Sequence, residues 1–311
     1  MSLKIKIISP QKAKIVWNNS SDSNVFNNPE LLNCISKIDF YGCFLNDKII
    51  AVWPVYVLQK KKSEVPLNFY YFGPFIDNSI NSKILHSQLS KKLEIFETYL
   101  FFFKSKFNEI NFRFHWHNQD IRYFKWLEEK LNFIKVKFDP KYTAILENNF
   151  DINNWRTLRR RQLKKIETYK NNFYFTKKNE KKISEYLLIV KENIPLELYK
   201  EIESIYEKLI KLCINQGECI EILNTENDEL IGFACILKDK ISHNLVFNFV
   251  KQHWKKKGMM VLLYKKLFEN CFNSNIRYFD FNGANSIKGA DEKSTFGSHA
   301  KLYFDIKIKF L

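Results

Sequence analysis

Val250-Lys251-Gln252-His253-Trp254-Lys255-Lys256-Lys257-Gly258-Met259-Met260-Val261-Leu262-Leu263-Tyr264 is the stretch from which the rest of the chain can be understood. An apolar run stops at Val250, a basic loop with one glycine follows, and a helical pattern begins at once. The amino end of a helix leaves backbone N–H groups unpaired and concentrates positive potential there. A pyrophosphate can accept those hydrogen bonds, and Gly258 allows a close backbone approach. Lys255, Lys256 and Lys257 add charge. The same residues also describe a solvated basic loop capping an amphipathic helix with Leu262, Leu263 and Leu267 in the core, so spacing alone leaves both readings open.

Outward from this stretch, apolar runs at 219–223, 230–237 and 245–250 have strand length, and a helix is predicted over 258–272, leading into a strand at 277–281. Further upstream lies a strongly basic helix, 151–170, with Trp155, Leu158 and Ile166 expected on one face and arginines on the others. Near the start, Asn28-Pro29-Glu30 opens a helix whose apolar face is Leu31, Leu32 and Ile35. Two apolar runs around Asn46-Asp47-Lys48 predict a hairpin. Residues 81–107 carry helical periodicity, and Ile110, Phe112, Phe114 and Trp116 alternate with polar residues as in a strand. Strands and helices interleave throughout, so the class is α/β (α+β) with mixed sheets. Asn46-Asp47-Lys48-Ile49-Ile50-Ala51-Val52 lines up with Asn227-Asp228-Glu229-Leu230-Ile231-Gly232-Phe233, and the flanking order repeats. This predicts a duplicated unit, with domains at 1–150 and 151–311.

The 311 residues are 45% hydrophobic and 27% charged, enough apolar material for large cores. A net charge of +16 points to an anionic partner or, equally, to the lysine usage of an AT-rich genome. Six cysteines without a CxxC pair, several among apolar neighbours, indicate reduced thiols and a cytoplasmic protein. Residues 1–7 alternate as a strand does, unlike a signal peptide. His115 and His117 have ligand-compatible spacing, but no cysteine or carboxylate pair completes a site; they are expected partly exposed, without a metal. GxSxG, HExxH and Walker motifs are absent, which removes the common hydrolase and NTPase readings.

With these segments in view, the strand, basic loop, Gly258 and following helix resemble the acyl-CoA pyrophosphate loop of the GNAT superfamily, departing at Met260, where that loop has a small residue. Arg277-Tyr278-Phe279-Asp280-Phe281-Asn282-Gly283-Ala284 resembles the strand ending in FDFxGA of FemAB-like and polysaccharide-associated GNAT acetyltransferases. Lys293-Ser294-Thr295-Phe296-Gly297-Ser298 resembles the K-x-x-F-G that follows it. Phe26-Asn27-Asn28-Pro29-Glu30 and Tyr71-Phe72-Gly73-Pro74 look like landmarks of the same proteins' first half. The resemblance implies two tandem GNAT-like domains, each a mixed, mostly antiparallel sheet flanked by helices, and transfer of an acyl or aminoacyl group to an amine without a metal. It places donor binding at Lys255, Lys257, Gly258, Met259 and Met260. The first half, with no basic glycine loop before its late strands, is expected to lack a donor site.

Asp280 and Asn282 close a strand, where α/β sheets place ligands; Asp280 either handles the amine or is a buried carboxylate that fixes the loop. His299 and Tyr303 are candidate acids. Lys293, Phe296 and Gly297 are expected to shape the acceptor or donor cleft. Arg159 and Arg160 suit the phosphates of an anionic, nucleotide- or lipid-linked acceptor, or an RNA backbone, and equally suit a solvated face. No cofactor is expected to be bound. The expected activity is acyl transfer from acyl-CoA to an amine of an amino sugar or other cell-envelope precursor, with peripheral contact at the inner membrane surface. The alternatives are a tRNA partner, with FemAB-like aminoacyl transfer from aminoacyl-tRNA to a peptidoglycan-type precursor, and a non-catalytic nucleic-acid-binding protein.

Overall fold

The computed structural model describes residues 3–34, 38–59, 61–81, 84–118, 120–148, 150–177 and 182–311. The elements run β1 (Leu3–Ile8), α1 (Pro10–Asn18), α2 (Pro29–Asn33), β2 (Ile38–Leu45), β3 (Lys48–Gln59), β4 (Lys62–Glu64), β5 (Phe75–Ile76), α3 (Leu85–Lys104), β6 (Glu109–Arg113), α4 (Arg122–Lys130) and β7 (Ile134–Glu147). There follow α5 (Thr157–Glu167), β8 (Phe173–Lys177), α6 (Ile183–Asn193), α7 (Leu196–Gln216), β9 (Glu218–Asn224), β10 (Leu230–Lys238), β11 (Ser242–Val250), α8 (Gln252–Lys255), α9 (Met259–Asn273), β12 (Tyr278–Asp280), α10 (Ile287–Ser294) and β13 (His299–Phe310). Two compact units result. One runs to Lys141 and takes back Leu302–Leu311; the other is Tyr142–Lys301. The division therefore falls inside β7, just after Asp139-Pro140-Lys141, and not at the expected residue 150.

In the first unit the strand order is β1-β2-β3-β4-β6-β13, with β5 on β3. All neighbours are antiparallel except β4 and β6. Asn28 caps α2 by accepting from the Glu30 N–H, and Pro29 takes the first helical position, where its missing N–H costs nothing. Ile35, expected on that helix's apolar face, lies outside the described residues. The core is aromatic: Trp53 is fully buried, with Phe96, Tyr99, Phe103, Phe112 and Phe124 edge-on around it at 4.9–6.2 Å. Such pairs add about 0.5–1.5 kcal/mol each to the burial of their rings. The strand expected through Trp116 stops at Arg113, although Phe114 and Trp116 are still buried. His115, expected partly exposed, is buried against Tyr71 at 4.5 Å, and loss of solvent holds its imidazole well below its ordinary pKa. No group of three metal-ligand side chains forms among the described residues.

The second unit has the order β7-β12-β11-β10-β9-β8, antiparallel except for the parallel pair β11–β12. β10 is buried on both faces because helices cover both. Phe233 meets Tyr186 of α6 at 4.6 Å, while Ala234 and Ile236 join the core shared with α5 and α9. A strand covered twice has no reason to alternate in polarity, hence its continuous apolar run. α5 begins at Thr157, later than expected, and buries Leu163 and Ile166 while Leu158 is 58% exposed.

Candidate active site

The second unit holds a break in its sheet. β11 and β12 pair only through Ser242–Tyr278, His243–Phe279 and Asn244–Asp280. β11 then continues to Val250 while the other chain turns away, through Asn282 (φ 53°) and Gly283 (φ 61°), both left-handed. On its opposite edge β11 pairs Leu245 with Ile236 and Phe247 with Cys235, so Val246 is an extra residue and the strand is bulged there. A bulge bends a strand and increases its twist. Past Asn244 the ladder to β12 ends, and the Leu245 carbonyl on that edge of β11 is met by the Asn282 side chain.

Several side chains gather where the two strands part. The Asp280 carboxylate is fully buried and accepts from the Thr143 hydroxyl (2.5 Å) and the Asn282 backbone N–H (2.8 Å). Those bonds hold the left-handed turn, the loop-fixing arrangement. The Asn282 amide donates to the Leu245 carbonyl (2.6 Å), and its Oδ1 is buried without a partner among the described residues, an acceptor still owed a donor. From α10, the Lys293 ammonium donates to the Asn282 and Gly283 carbonyls, and burial lowers its pKa to about 8, with nearby Asp280 partly opposing. From α9, Tyr264 packs on Phe281 (5.5 Å) and Phe296 (4.6 Å), and the Met260 sulfur accepts from the Asn248 amide of β11 (3.2 Å). Asp280, Asn282, Lys293 and Phe296 are thus gathered around one end of β12, with a cation, an open acceptor and an apolar wall, while Met260 lies further along β11, at Asn248.

The basic loop is bonded to itself at two of its amides. Residues 252–255 form the helical turn α8, and the N–H groups of Lys257 and Gly258 donate to the Trp254 and Lys255 carbonyls. Gly258 is buried at φ 88°, and a Cβ there would stand 2.9 Å from the Ile166 Cδ1 of α5. The glycine is explained by that conformation and that contact. The Lys255 ammonium donates to Asn193 Oδ1, and burial lowers its pKa. The Lys257 ammonium lies 3.9 Å from the centre of the Trp254 ring. Met259 is buried at the first position of α9.

The remaining candidates separate. Arg159 donates to Thr295 Oγ1 (3.0 Å) and Gln162 Oε1 (3.1 Å) and lies over the Phe296 ring at 5.2 Å, so it ties α5 to the segment after α10. Arg160 is exposed. His299 Nε2 is 3.2 Å from Glu147 Oε1. Glu147 pairs with Tyr278 at the start of β12, away from the Asp280 end. That imidazole–carboxylate pair lines a cavity of about 220 Å³ with Asp151, Asn154, Phe296 and Gly297, the last at φ 83°. Tyr303 belongs to the first unit, buried edge-on against Tyr71 at 5.3 Å. Thr143 and the Val246 bulge were missed from sequence. Nothing in a threonine before Ala-Ile-Leu announces its partner, and a bulge is a property of two strands together.

No family model and no curated protein sequence matches this chain. Solved structures do. FemX aligns at a TM-score of 0.64 with 10% identity, over 97% of this chain and 96% of its own. L-PGS from Bacillus licheniformis aligns at 0.61 with 11% identity, over 98% and 92%. A tandem GNAT protein from the clavulanic acid biosynthesis pathway aligns at 0.56 with 7% identity, over 99% and 98%. Identities this low speak for architecture alone, and the architecture agrees from end to end: the chain has the tandem GNAT fold, two α/β units of that type in one polypeptide.

Proposed function

We propose that the chain is an N-acyltransferase whose chemistry takes place where β11 and β12 part in the second unit. The observation that carries this reading is the end of the β11–β12 ladder beside the β11 bulge, where the turn after β12 carries a cation, Lys293, on its carbonyls and a buried unpaired acceptor, Asn282 Oδ1. In acyl transfer a neutral amine attacks an ester or thioester carbonyl, negative charge grows on the carbonyl oxygen, and the leaving oxygen or sulfur takes up the proton that the amine gives away. A fixed cation and backbone dipoles in a water-poor site stabilise that charge without having to reorganise. In this reading Lys293 supplies the cation, Asn282 orients the incoming N–H, and Asp280 is a positioning residue that holds the Asn282 turn. Arg159 and Arg160 flank the acceptor side, with Phe296 and Gly297 shaping its wall.

An aminoacyl ester on tRNA fits as donor better than acyl-CoA. The amides that would grip a CoA pyrophosphate at Lys257 and Gly258 are already bonded within the loop, and Gly258 faces Ile166 instead of open space. The lysine-rich loop and α5 offer charge to a longer polyanion. Thermal-shift titration with acetyl-CoA and with aminoacyl-tRNA tests the choice, since a ligand that binds only the folded state raises the midpoint. The expected result is a saturable rise with aminoacyl-tRNA and release of its amino acid to an amine, both absent with acetyl-CoA. The reverse pattern restores acyl-CoA, and no turnover with either donor overturns the acyltransferase reading.

A further inference from the structure

In the second unit α6 buries Tyr186, Ile189 and Val190 and leaves Leu188 62% exposed. Leu188 lines two grooves. One, of about 480 Å³, follows the seam between α6 and α7; Leu187, Leu188, Leu196 and Tyr199 line it together with Lys191 and Lys200. The other, of about 410 Å³, lies between α6 and the start of β10, where Leu188, Ile189 and Leu230 meet Glu185 and Glu192. Lys191 borders both. Other charges at these grooves are already engaged. Glu203 accepts from the Tyr199 hydroxyl at 2.8 Å, and Lys251 is paired with Glu229 at 2.7 Å. Glu185, Lys191 and Lys200 form no ion pair among the described residues. Leu196 and Leu198, exposed in the first turn of α7, extend the apolar surface.

Solvated leucines ringed by unpaired charges have the make-up of an interface, with an apolar centre and a polar rim. Charge decides what covers it. The chain carries +16, so two copies repel over most of their surfaces. The stretch from Lys182 to Gln216 is different: it holds five lysines, six glutamates and no other charged residue. Two copies meet there without like-charge cost, whereas the glutamates disfavour an anionic bilayer or a polyanion. We infer that α6 and α7 form the contact of a symmetric dimer of this chain. The two grooves complement each other, since the seam carries the free lysines and the β10 side the glutamates. A twofold axis running along α6 lays Leu188 against its own copy and sets each seam over the other copy's β10-side groove, with Lys200 facing Glu185. In such a contact every pair forms twice. The inference goes beyond the chemistry proposed at β12 and does not depend on it.

The test is sedimentation velocity of the full chain at low salt, from low to high micromolar concentration. The expected result is a concentration-dependent species of twice the chain's mass. Leu188→Glu should raise the dissociation constant by about tenfold or more, as loss of a central apolar anchor does. Glu185→Lys and Lys200→Glu should each weaken association, because each sets like charges opposite one another at both copies of the pair. Mixed in equal amounts, these two variants should recover the dimer, since both contacts of the mixed pair again join opposite charges. All three side chains are exposed, so the variants should melt as the parent does by circular dichroism. A chain that is monomeric at every concentration, a dimer indifferent to Leu188→Glu, or a mixture that stays monomeric overturns the proposal. So does a monomer that cosediments with phosphatidylglycerol vesicles and loses them in Leu188→Glu, which would give this face to a membrane instead.

Discussion

At Lys293 a cation is held largely out of water by two carbonyls, and its pKa of about 8 against an ordinary 10.5 has a consequence for stability. Between those values the unfolded chain keeps a proton that the folded chain has released, so stability rises with pH across that window. Below pH 8 the cost of burying the ammonium is present in full. Denaturant melts of the parent and of Lys293→Met should therefore diverge in the parent's favour from pH 8 to pH 10; parallel curves would mean that the side chain is solvated. If the ammonium stabilises the transition state, transfer should decline as pH rises through about 8, and Lys293→Arg, charged at every accessible pH, should lose that decline. Gly258 poses a purely steric question. Gly258→Ala places a Cβ against Ile166 Cδ1 in a left-handed backbone and should cost about 1–2 kcal/mol in strain alone. Ile166→Val removes the very atom in the way. Its usual cost of about 0.5–1.5 kcal/mol should shrink or vanish in the alanine background, and plain additivity would mean that the backbone, not the contact, governs the site.

The elements show which parts of this were legible beforehand. β9, β10 and β11 were readable because each is an apolar run bounded by polar turns; the β2–β3 and β9–β10 hairpins each carry a left-handed residue in the turn, Asn46 and Asp228, one position apart when the two segments are aligned. Helical phase was harder. With α5 expected to begin before Trp155, its apolar face was drawn through Trp155, Leu158 and Ile166, of which Trp155 and Ile166 are buried and Leu158 is not. The helix starts at Thr157, and the pair that faces the core is Leu163 with Ile166, one turn apart. An arginine-rich helix offers few apolar residues from which to fix a phase, and tertiary packing made the choice. The Asp280–Lys293 end of the site was legible as a segment, but its roles were not: Thr143 and the Val246 bulge decide them from other strands. The corrected phase has a measurable counterpart. Leu158→Ser should change stability by less than about 0.5 kcal/mol, as at an ordinary surface position. Leu163→Ala should cost about 2–5 kcal/mol by emptying space against α9. Equal losses would restore the earlier phase.

On the scale of the whole chain, the two units are not consecutive segments, because the last strand returns to the first one. β13 pairs with β6 through Asp305–Arg113 to Lys309–Glu109, buries Ile306 and Ile308 completely in the aromatic core, and holds Arg113 through Asp305 at 2.8 Å. Each of those isoleucines is worth about 1.5–3 kcal/mol of burial. Together they are a large share of the roughly 5–15 kcal/mol that holds a domain folded. The second unit needs none of this. Its own core of Trp155, Phe268, Phe279, Phe281 and Phe296 lies entirely within Tyr142–Lys301. A chain ending at Lys301 should therefore lose the first unit selectively. Calorimetry should show one cooperative transition remaining, and limited proteolysis should leave a protected fragment close to residues 142–301. Loss of all cooperative unfolding in that truncation would mean that the second unit depends on the first for its stability, and the division of the chain into separately stable cores would be wrong.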